Sequence, residues 1–226
     1  MAQSNPAFRI KICGVTRADD ILAVANSAAD AIGLNFYPRS SRYVPLDQAE
    51  RLADHCPDHL QRVGVFVNAS RDELLKHAAR CGLGWLQLHG DEPPELVAEL
   101  GDYRIIRAFR CGADGLAPVT KFLDALTVED RRRLTVLLDA AQPGQYGGTG
   151  HTLDWHALAN EIGQLRDVPW ILAGGLTPHN VAAAINCLQP QGVDTASGVE
   201  IAPGIKDPAA IESFAAAADV AFKSLR

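Results

Sequence analysis

The sequence predicts a single-domain α/β fold, the (β/α)8 or TIM barrel, and three observations lead to this prediction. Eight short apolar runs recur along the chain, helical patterns lie between them, and 226 residues suit one barrel better than two small domains. Strands that alternate with helices indicate a parallel sheet, because each crossover helix returns the chain to the same end of the sheet. A doubly wound open sheet is the alternative, but eight βα units favour a closed barrel.

Each predicted strand is a short apolar run. The eight runs cover residues 9–13, 31–36, 62–67, 85–89, 104–109, 134–139, 170–173 and 193–196. Between them, apolar residues at helical spacing predict amphipathic helices, as along residues 49–56. Residues 70–73 form a capping box, and Thr177 and Asp207 each precede a proline that suits the first position of a helix.

The composition is that of an ordinary globular protein, with 47% hydrophobic and 21% charged residues. No apolar run approaches the roughly 18 residues that a membrane helix needs, and the first residues lack the apolar core of a secretory signal. We therefore expect one cytoplasmic domain over residues 1–226, with a short polar extension at 1–7 and no membrane contact. A net charge of −6 disfavours nucleic-acid binding.

The cysteines and histidines do not form a metal-binding pattern. Five cysteines lie far apart without a Cys-x-x-Cys pair, so we expect reduced thiols. The chain also has no His-Glu-x-x-His segment, and we predict no metal site and no other cofactor.

In a barrel of this kind the active site lies at the C-terminal ends of the strands, so the residues that end each run are the candidates. They are Cys13, Asn35, Asn68, His89, Arg110, Asp139, Gly174 with Gly175, and Ser197 with Gly198. No lysine ends a strand, which disfavours a Schiff-base aldolase because that chemistry needs a lysine amine beside a carbonyl.

Two glycine turns follow the seventh and eighth strands, where barrels of this kind usually bind phosphate. Gly174-Gly175 and Ser197-Gly198 allow backbone N–H groups to approach an anion, and a nearby helix N-terminus would favour it. Either turn alone is also typical of a simple tight turn. Nucleotide-binding glycine motifs do not accompany them, so together they predict a small phosphorylated ligand.

Cys13 and Asp139 are the candidate proton-transfer groups. A free cysteine is often a small buried hydrophobe, but a strand-end thiol in a polar pocket can act as a base toward an acidic C–H. Asp139 follows the apolar Val136-Leu137-Leu138, so a functional carboxyl is favoured over a surface one. The first and sixth strands lie far apart around a barrel, and the two groups can therefore face opposite sides of one substrate.

Three further residues have weaker assignments. Lys11 shares the strand parity of Cys13 and would point into the barrel, where it needs a counter-ion. Asp194 on the neighbouring eighth strand is the candidate partner; an exposed lysine on a misplaced strand is the alternative. His89 fits either a ligand contact or a hydrogen-bonded core histidine.

Two loops complete the predicted barrel mouth. Residues 36–43 carry Arg39 and Arg42, and arginine binds carboxylates bidentately, although a solvated loop would have a similar sequence. Residues 146–150 are glycine-rich, which favours a mobile lid. A thiol-hydrolase triad of His, Cys and Asp is disfavoured, because it would leave the phosphate turns without a role.

The motifs described so far, taken in order, resemble those of the phosphoribosylanthranilate isomerases, (β/α)8 enzymes of tryptophan biosynthesis. The resemblance covers nearly the whole chain. It rests on Lys11-Ile12-Cys13-Gly14, Phe36-Tyr37-Pro38 with Ser41-Arg42-Tyr43, Val63-Gly64-Val65-Phe66-Val67-Asn68, Gln87-Leu88-His89-Gly90, Leu137-Leu138-Asp139, Tyr146-Gly147-Gly148-Thr149-Gly150, Gly174-Gly175-Leu176, and Ser197-Gly198-Val199-Glu200 followed by Pro203-Gly204.

The resemblance implies an Amadori rearrangement of N-(5-phosphoribosyl)anthranilate without a cofactor. It implies Cys13 as the general base, Asp139 as the general acid and Arg42 as the group that binds the anthranilate carboxylate. It assigns the phosphate to Gly174, Gly175, Ser197 and Gly198, and we add His89 and Asp194 as candidate substrate contacts. The surface helices leave open whether the chain is a monomer or a homodimer.

Two other functions remain as alternatives. A sister barrel isomerase of the histidine pathway or of the pentose-epimerase type would share the phosphate turns, but the former is expected to use two aspartates and the latter a metal with carboxylates. Cys13 disfavours both. A catalytically silent barrel that binds a sugar phosphate is the alternative from another class.

Overall fold

The structure is a computed structural model that describes residues 8–112, 114–139, 155–165 and 168–225. Its sheet is a closed barrel in which the strands follow one another in chain order and the eighth pairs with the first. The strands are β1 (Ile10–Cys13), β2 (Ala31–Asn35), β3 (Gln61–Phe66), β4 (Trp85–Leu88), β5 (Arg104–Arg110), β6 (Leu134–Asp139), β7 (Trp170–Ala173) and β8 (Gly192–Thr195). All barrel pairings are parallel, which confirms the predicted TIM barrel and excludes the open sheet.

Helices connect the strands and pack against one another around the barrel. They are α1 (Ala18–Ala25), α2 (Leu46–Asp54), α3 (Arg71–Cys81), α4 (Glu95–Glu99), α5 (Ala117–Asp124), α6 (Val128–Arg132), α7 (Trp155–Glu161), α8 (Val181–Leu188) and α9 (Pro208–Ser224). Short 3₁₀ turns cover Ile162–Leu165 and Ser197–Val199.

Two of the three predicted helix caps are confirmed. Ser70 Oγ accepts a hydrogen bond from the backbone N–H of Glu73, and Asp207 caps α9 with Pro208 at its first position. The helix start predicted next to Thr177 is wrong, because α8 begins only at Val181, although Thr177 Oγ1 accepts from the His179 N–H at 3.3 Å in the turn before the helix. A turn precedes the helix, and Asn180 Oδ1 accepts from the Thr177 N–H at 2.8 Å.

The buried residues form two cores. The larger core lies between the strands and the helices, where apolar residues of both meet. The smaller core is contributed by alternate residues of β2 to β7 together with Phe8, whose ring meets Trp85 edge to face at 5.3 Å. Alternate residues of a barrel strand point inward, so this second core fills the barrel interior below the site.

A small antiparallel hairpin, which the sequence did not predict, follows β8. It consists of β9 (Glu200–Ala202) and β10 (Ile205–Lys206), strands too short to show a clear periodicity. Its turn packs closely on the loop after β2: a Cβ at Gly204 would lie 2.8 Å from the Ser41 carbonyl oxygen. Thr16 Oγ1, in the loop after β1, donates to the Gly204 carbonyl at 2.6 Å. The hairpin therefore joins both loops at the barrel mouth.

Two predictions fall on residues outside the described ranges: the polar extension at 1–7 and the lid at 146–150. Among the described helices, none is both long enough and apolar enough to span a bilayer.

Candidate active site

Cys13 and Asp139 are the last residues of β1 and β6, so both lie at the carboxyl end of the barrel. On the shorter path around the barrel, β7 and β8 separate their strands. The two groups therefore stand across part of the mouth, and the two predicted phosphate turns follow the strands between them.

The thiol of Cys13 is buried at the base of the mouth. A Cβ at Gly33 on β2 would lie 2.8 Å from Cys13 Sγ, so a glycine at this position leaves room for the thiol. Burial raises the pKa of Cys13, while the positive charges of Lys11 and Lys206 oppose that rise. The negative charge of Asp194 adds to it.

Lys11 and Asp194 form a buried ion pair in the barrel interior. Lys11 Nζ donates to Asp194 Oδ1 at 2.7 Å, and the two residues are in register on β1 and β8. The predicted pairing of Lys11 is thereby confirmed. Burial raises the pKa of Asp194, although Lys11 partly offsets the effect. With its side chain 9% exposed, Asp194 lies below the open part of the mouth.

His89 follows β4 and brings an imidazole to the Asp139 side of the mouth. Its Nε2 lies 3.7 Å from Asp139 Oδ2, and each side chain is about a quarter exposed. Its Nδ1 lies 3.0 Å from Nε2 of the buried Gln87, so the ring is held from below. The contact with Asp139 favours a site position for His89 over a core one.

The two glycine turns after β7 and β8 contact each other. Gly174 and Gly175 have φ angles of 90° and 65°, in the region that glycine favours. A Cβ at Gly198 would lie 1.9 Å from the Leu176 carbonyl oxygen, which already accepts from Thr195 Oγ1 at 2.7 Å. The sequence places glycine where the two turns meet.

The helix termini near these turns differ from the expectation. Ser197 begins only a single 3₁₀ turn, and α8 begins several residues after Gly175. The backbone N–H groups of the turns themselves, rather than a long helix N-terminus, are therefore the groups that could contact an anion here.

Arg42 reaches the site from the loop after β2 and is paired with Glu200. Arg42 Nε and Nη2 donate to the two carboxylate oxygens of Glu200, each at 2.7 Å. Its stem passes over Gly14, where a Cβ would lie 2.4 Å from Arg42 Cδ. Arg39, by contrast, is exposed. Only one of the two loop guanidinium groups thus reaches the site.

Lys206 on β10 is a site residue that the sequence reasoning missed. Its side chain is fully buried, and its Nζ donates to Glu200 Oε1 and to the Ala196 carbonyl, each at 2.9 Å. Burial lowers the pKa of Lys206, although Glu200 opposes the shift. Burial alone would raise the pKa of Glu200, but the hydrogen bonds from Arg42 and Lys206 outweigh it and hold that pKa below its usual value.

Of the other strand-end candidates, Arg110 is exposed at the end of β5, and the two asparagines have structural partners. Asn35 Oδ1 accepts from the Tyr37 N–H at 2.9 Å, and Asn68 Oδ1 accepts from the Asp91 N–H at 2.7 Å. Both side chains therefore stabilise loops. In the described part of the chain, no three His, Cys, Asp or Glu side chains are grouped so that they could hold a metal ion.

Comparisons with known proteins identify one family. The family model described as N-(5'phosphoribosyl)anthranilate (PRA) isomerase matches residues 10–217. A relative from Myxococcus xanthus, named N-(5'-phosphoribosyl)anthranilate isomerase, is 46% identical over 212 residues, which is 94% of this chain and 96% of the relative.

Solved structures agree with the sequence comparison. The phosphoribosyl anthranilate isomerase of Thermotoga maritima has a TM-score of 0.81 at 36% identity, over 94% of this chain and 99% of that one. A phosphoribosyl anthranilate isomerase in complex with reduced 1-(o-carboxyphenylamino)-1-deoxyribulose 5-phosphate has a TM-score of 0.78 at 34% identity, with the same coverage. The chain therefore belongs to the N-(5'-phosphoribosyl)anthranilate isomerase family, enzymes of tryptophan biosynthesis that act on a small-molecule substrate.

Proposed function

We propose that Cys13 is the general base and Asp139 the general acid with which this isomerase converts N-(5-phosphoribosyl)anthranilate into 1-(2-carboxyphenylamino)-1-deoxyribulose 5-phosphate. The observation that carries the assignment is the arrangement of one barrel mouth. A buried thiol beside two ammonium groups ends β1, a carboxyl ends β6, and two contacting glycine turns follow the strands between them.

The reaction requires an acid and a base on different atoms of the ribose. Asp139 donates a proton to the furanose ring oxygen, and the anilino nitrogen lone pair expels that oxygen from C1 to give an iminium ion. Cys13 then takes the proton from C2, which gives an enolamine. Protonation at C1 and loss of the hydroxyl proton give the ketone, so the product is an isomer of the substrate. The iminium itself acidifies the C–H, and no electron sink is needed.

Before catalysis the Cys13 thiol must lose its proton, and the two neighbouring ammonium groups favour this loss. Lys11 and Lys206 both stabilise the thiolate, whereas burial and Asp194 favour the thiol. The base is therefore expected to gain activity as the pH rises above neutral.

The remaining groups bind the two ends of the substrate. Arg42 would bind the anthranilate carboxylate, and backbone N–H groups at Gly174, Gly175, Ser197 and Gly198 would bind the phosphate. His89, in contact with Asp139, would meet the substrate near the ring oxygen. Asp194 would act on the C2 side, next to the thiol that its charge affects.

The test follows the decay of anthranilate fluorescence from freshly formed substrate in the presence of EDTA. Wild type should convert the substrate, and Cys13→Ser and Asp139→Asn should each lower kcat by at least about a hundredfold, as expected for a lost acid or base. Cys187→Ser on α8 and Asp219→Asn on α9 are the matched controls, and both should keep wild-type rates. Full activity in either site variant would refute that residue's role.

The cellular location and the oligomeric state of the enzyme belong to the same proposal. A phosphorylated substrate is charged and stays in the compartment where it is made, which favours the cytoplasm. The chain would act there as a monomer or a homodimer, and static light scattering of the purified protein decides between the two masses.

A further inference from the structure

The guanidinium group of Arg42 has two edges that can each hold a carboxylate, and Glu200 occupies one of them. Glu200 accepts from Nε and Nη2, each at 2.7 Å, in a bidentate pair. A guanidinium has five N–H donors, so Nη1 and the second hydrogen of Nη2 form another edge. Within the described part of the chain, Nη1 donates no hydrogen bond, and the Arg42 side chain is 24% exposed.

Glu200 is held in turn by a buried ammonium group. The side chain of Glu200 is 5% exposed, and the fully buried Lys206 Nζ donates to its Oε1 at 2.9 Å. Lys206 also donates to the Ala196 carbonyl at 2.9 Å, directly before the turn that begins at Ser197. One ammonium group thus contacts both the partner of Arg42 and the backbone next to the second glycine turn.

The charges of this cluster leave it attractive to an anion. Arg42 and Lys206 are cations and Glu200 is one anion, so the three residues carry a net charge of +1. Glu200 therefore fixes the guanidinium without cancelling the positive charge at the mouth. The fixed geometry matters because a long arginine side chain otherwise loses rotamer freedom when it binds a ligand.

We infer that Glu200 is a positioning residue that presents the second edge of Arg42 to the substrate carboxylate, and that Lys206 secures Glu200. The inference rests on the proposed function, in which Arg42 binds that carboxylate. It makes Glu200 a determinant of specificity for a ring that bears a carboxylate. Because Lys206 also contacts Ala196, the carboxylate end and the phosphate end of the site are held at a fixed separation.

The experiment compares two substrates that differ only in the carboxylate: N-(5-phosphoribosyl)anthranilate and N-(5-phosphoribosyl)aniline. The measured quantity is the ratio of their kcat/KM values. Glu200→Gln should lower this ratio about tenfold, mainly through a higher KM for the carboxylate substrate. Glu129→Gln is the matched control, because Glu129 forms an exposed pair with Arg132 on α6 and should leave the ratio unchanged.

Two further variants separate positioning from a general structural role. Glu200→Asp keeps the charge but withdraws the carboxylate oxygens from Arg42, so it should also lower the ratio of the two kcat/KM values. This variant tests the inference even if Glu200→Gln folds poorly. Arg42→Met should abolish the preference for the carboxylate, and Glu200→Asp should not change the ratio further in that background.

The possible outcomes lead to different conclusions. Equal losses on both substrates in Glu200→Asp would indicate a structural role and overturn the inference, as would an unchanged ratio. If Arg42→Met keeps the preference in an active enzyme, the assignment of Arg42 fails and this inference fails with it. A wild type that converts neither substrate would overturn the proposed function itself.

Discussion

Around Cys13, burial and charge act on the thiol in opposite directions. Burial and the carboxylate of Asp194 raise its pKa, whereas Lys11 and Lys206 lower it. A negative charge on Cys13 would also contribute to the raised pKa of Arg42, behind the larger effect of Glu200. The net pKa is raised, so the reactive thiolate is a minor species in the free enzyme at neutral pH.

This balance predicts the pH dependence of activity. Because the base must be deprotonated while the acid still carries its proton, ionisation of Cys13 should give the pH profile of kcat/KM a rising limb. Lys206→Met removes a cation that lowers the pKa of Cys13, so the rising limb should move to higher pH. Lys223→Met on α9 is the control, because Lys223 is exposed and pairs with Asp219. If the rising limb of the pH profile moves to lower pH in Lys206→Met, the claim that Lys206 lowers the pKa of Cys13 is contradicted.

The Lys11–Asp194 pair predicts a large loss of stability when one partner is removed. Lys11→Met would leave the buried Asp194 carboxylate without its counter-ion, and we expect a loss of about 3–5 kcal/mol. Adding Asp194→Asn removes the uncompensated charge and should recover much of that loss. Urea unfolding of the three proteins measures both effects, and equal stabilities for the single and double variants would contradict the prediction.

At the residue scale, the strand parity of Lys11 and the adjacency of the first and eighth strands in a closed barrel were enough to predict the Lys11–Asp194 pair. The pairing of Arg42 with Glu200 was not predictable, because the partners are 158 residues apart and no strand pairing joins them. Lys206 lies in a two-residue strand whose inward direction depends on the hairpin. Its burial could be recognised only from the folded chain.

The two glycine turns depend on each other, and this predicts the effect of filling one of them. In Gly198→Ala the new methyl group would lie 1.9 Å from the Leu176 carbonyl oxygen, so at least one of the two turns must shift. We expect a stability loss of about 1–3 kcal/mol and a higher KM for the phosphorylated substrate.

A glycine with open space around it provides the control for that substitution. Among the residues that the structure describes, none has an atom within 4 Å of a Cβ at Gly163, so Gly163→Ala should leave the KM unchanged and alter the stability by less than about 0.5 kcal/mol. An unchanged KM in Gly198→Ala would contradict the assignment of this turn to phosphate binding.

At the element scale, the apolar runs located all eight barrel strands, and their observed ends lie within about one residue of the predicted ones. Packing on both faces makes such strands continuous apolar runs, which a sequence shows clearly. The β9–β10 hairpin was missed because its strands are too short for a periodic pattern. The start of α8 was misplaced because Asn180, rather than Thr177, directly precedes the helix.

For the whole molecule, the depressed pKa of Glu200 predicts a contribution to stability that depends on pH. An acid with a lowered folded-state pKa stabilises the fold above its unfolded pKa, and the contribution is lost as the pH falls through the folded value. The stability advantage of wild type over Glu200→Gln should therefore shrink between about pH 5 and pH 3. Urea unfolding at several pH values measures it, and a constant difference would contradict the assignment.

The separation of the two cores explains how the mouth tolerates its polar residues. The interior core fills the barrel below the site, and the outer core anchors the helices. The buried polar residues Lys11, Gln87 and Asp194 have partners in or beside the site: Lys11 pairs with Asp194, and Gln87 contacts His89. The apolar packing of the barrel and the acid–base chemistry of its mouth thus use different side chains, whereas the Lys11–Asp194 pair serves both stability and the site.

The ion pair between β1 and β8 also has a consequence for the order of assembly. Its partners are separated by 183 residues, so Lys11 is synthesised long before its counter-ion exists. Contacts this distant in sequence form late, and the chain must nearly be complete before the barrel can close. An incomplete barrel would leave Lys11 unpaired and Cys13 in a different electrostatic environment. Closure of the last strand pair therefore completes the fold and the surroundings of its thiol in the same step.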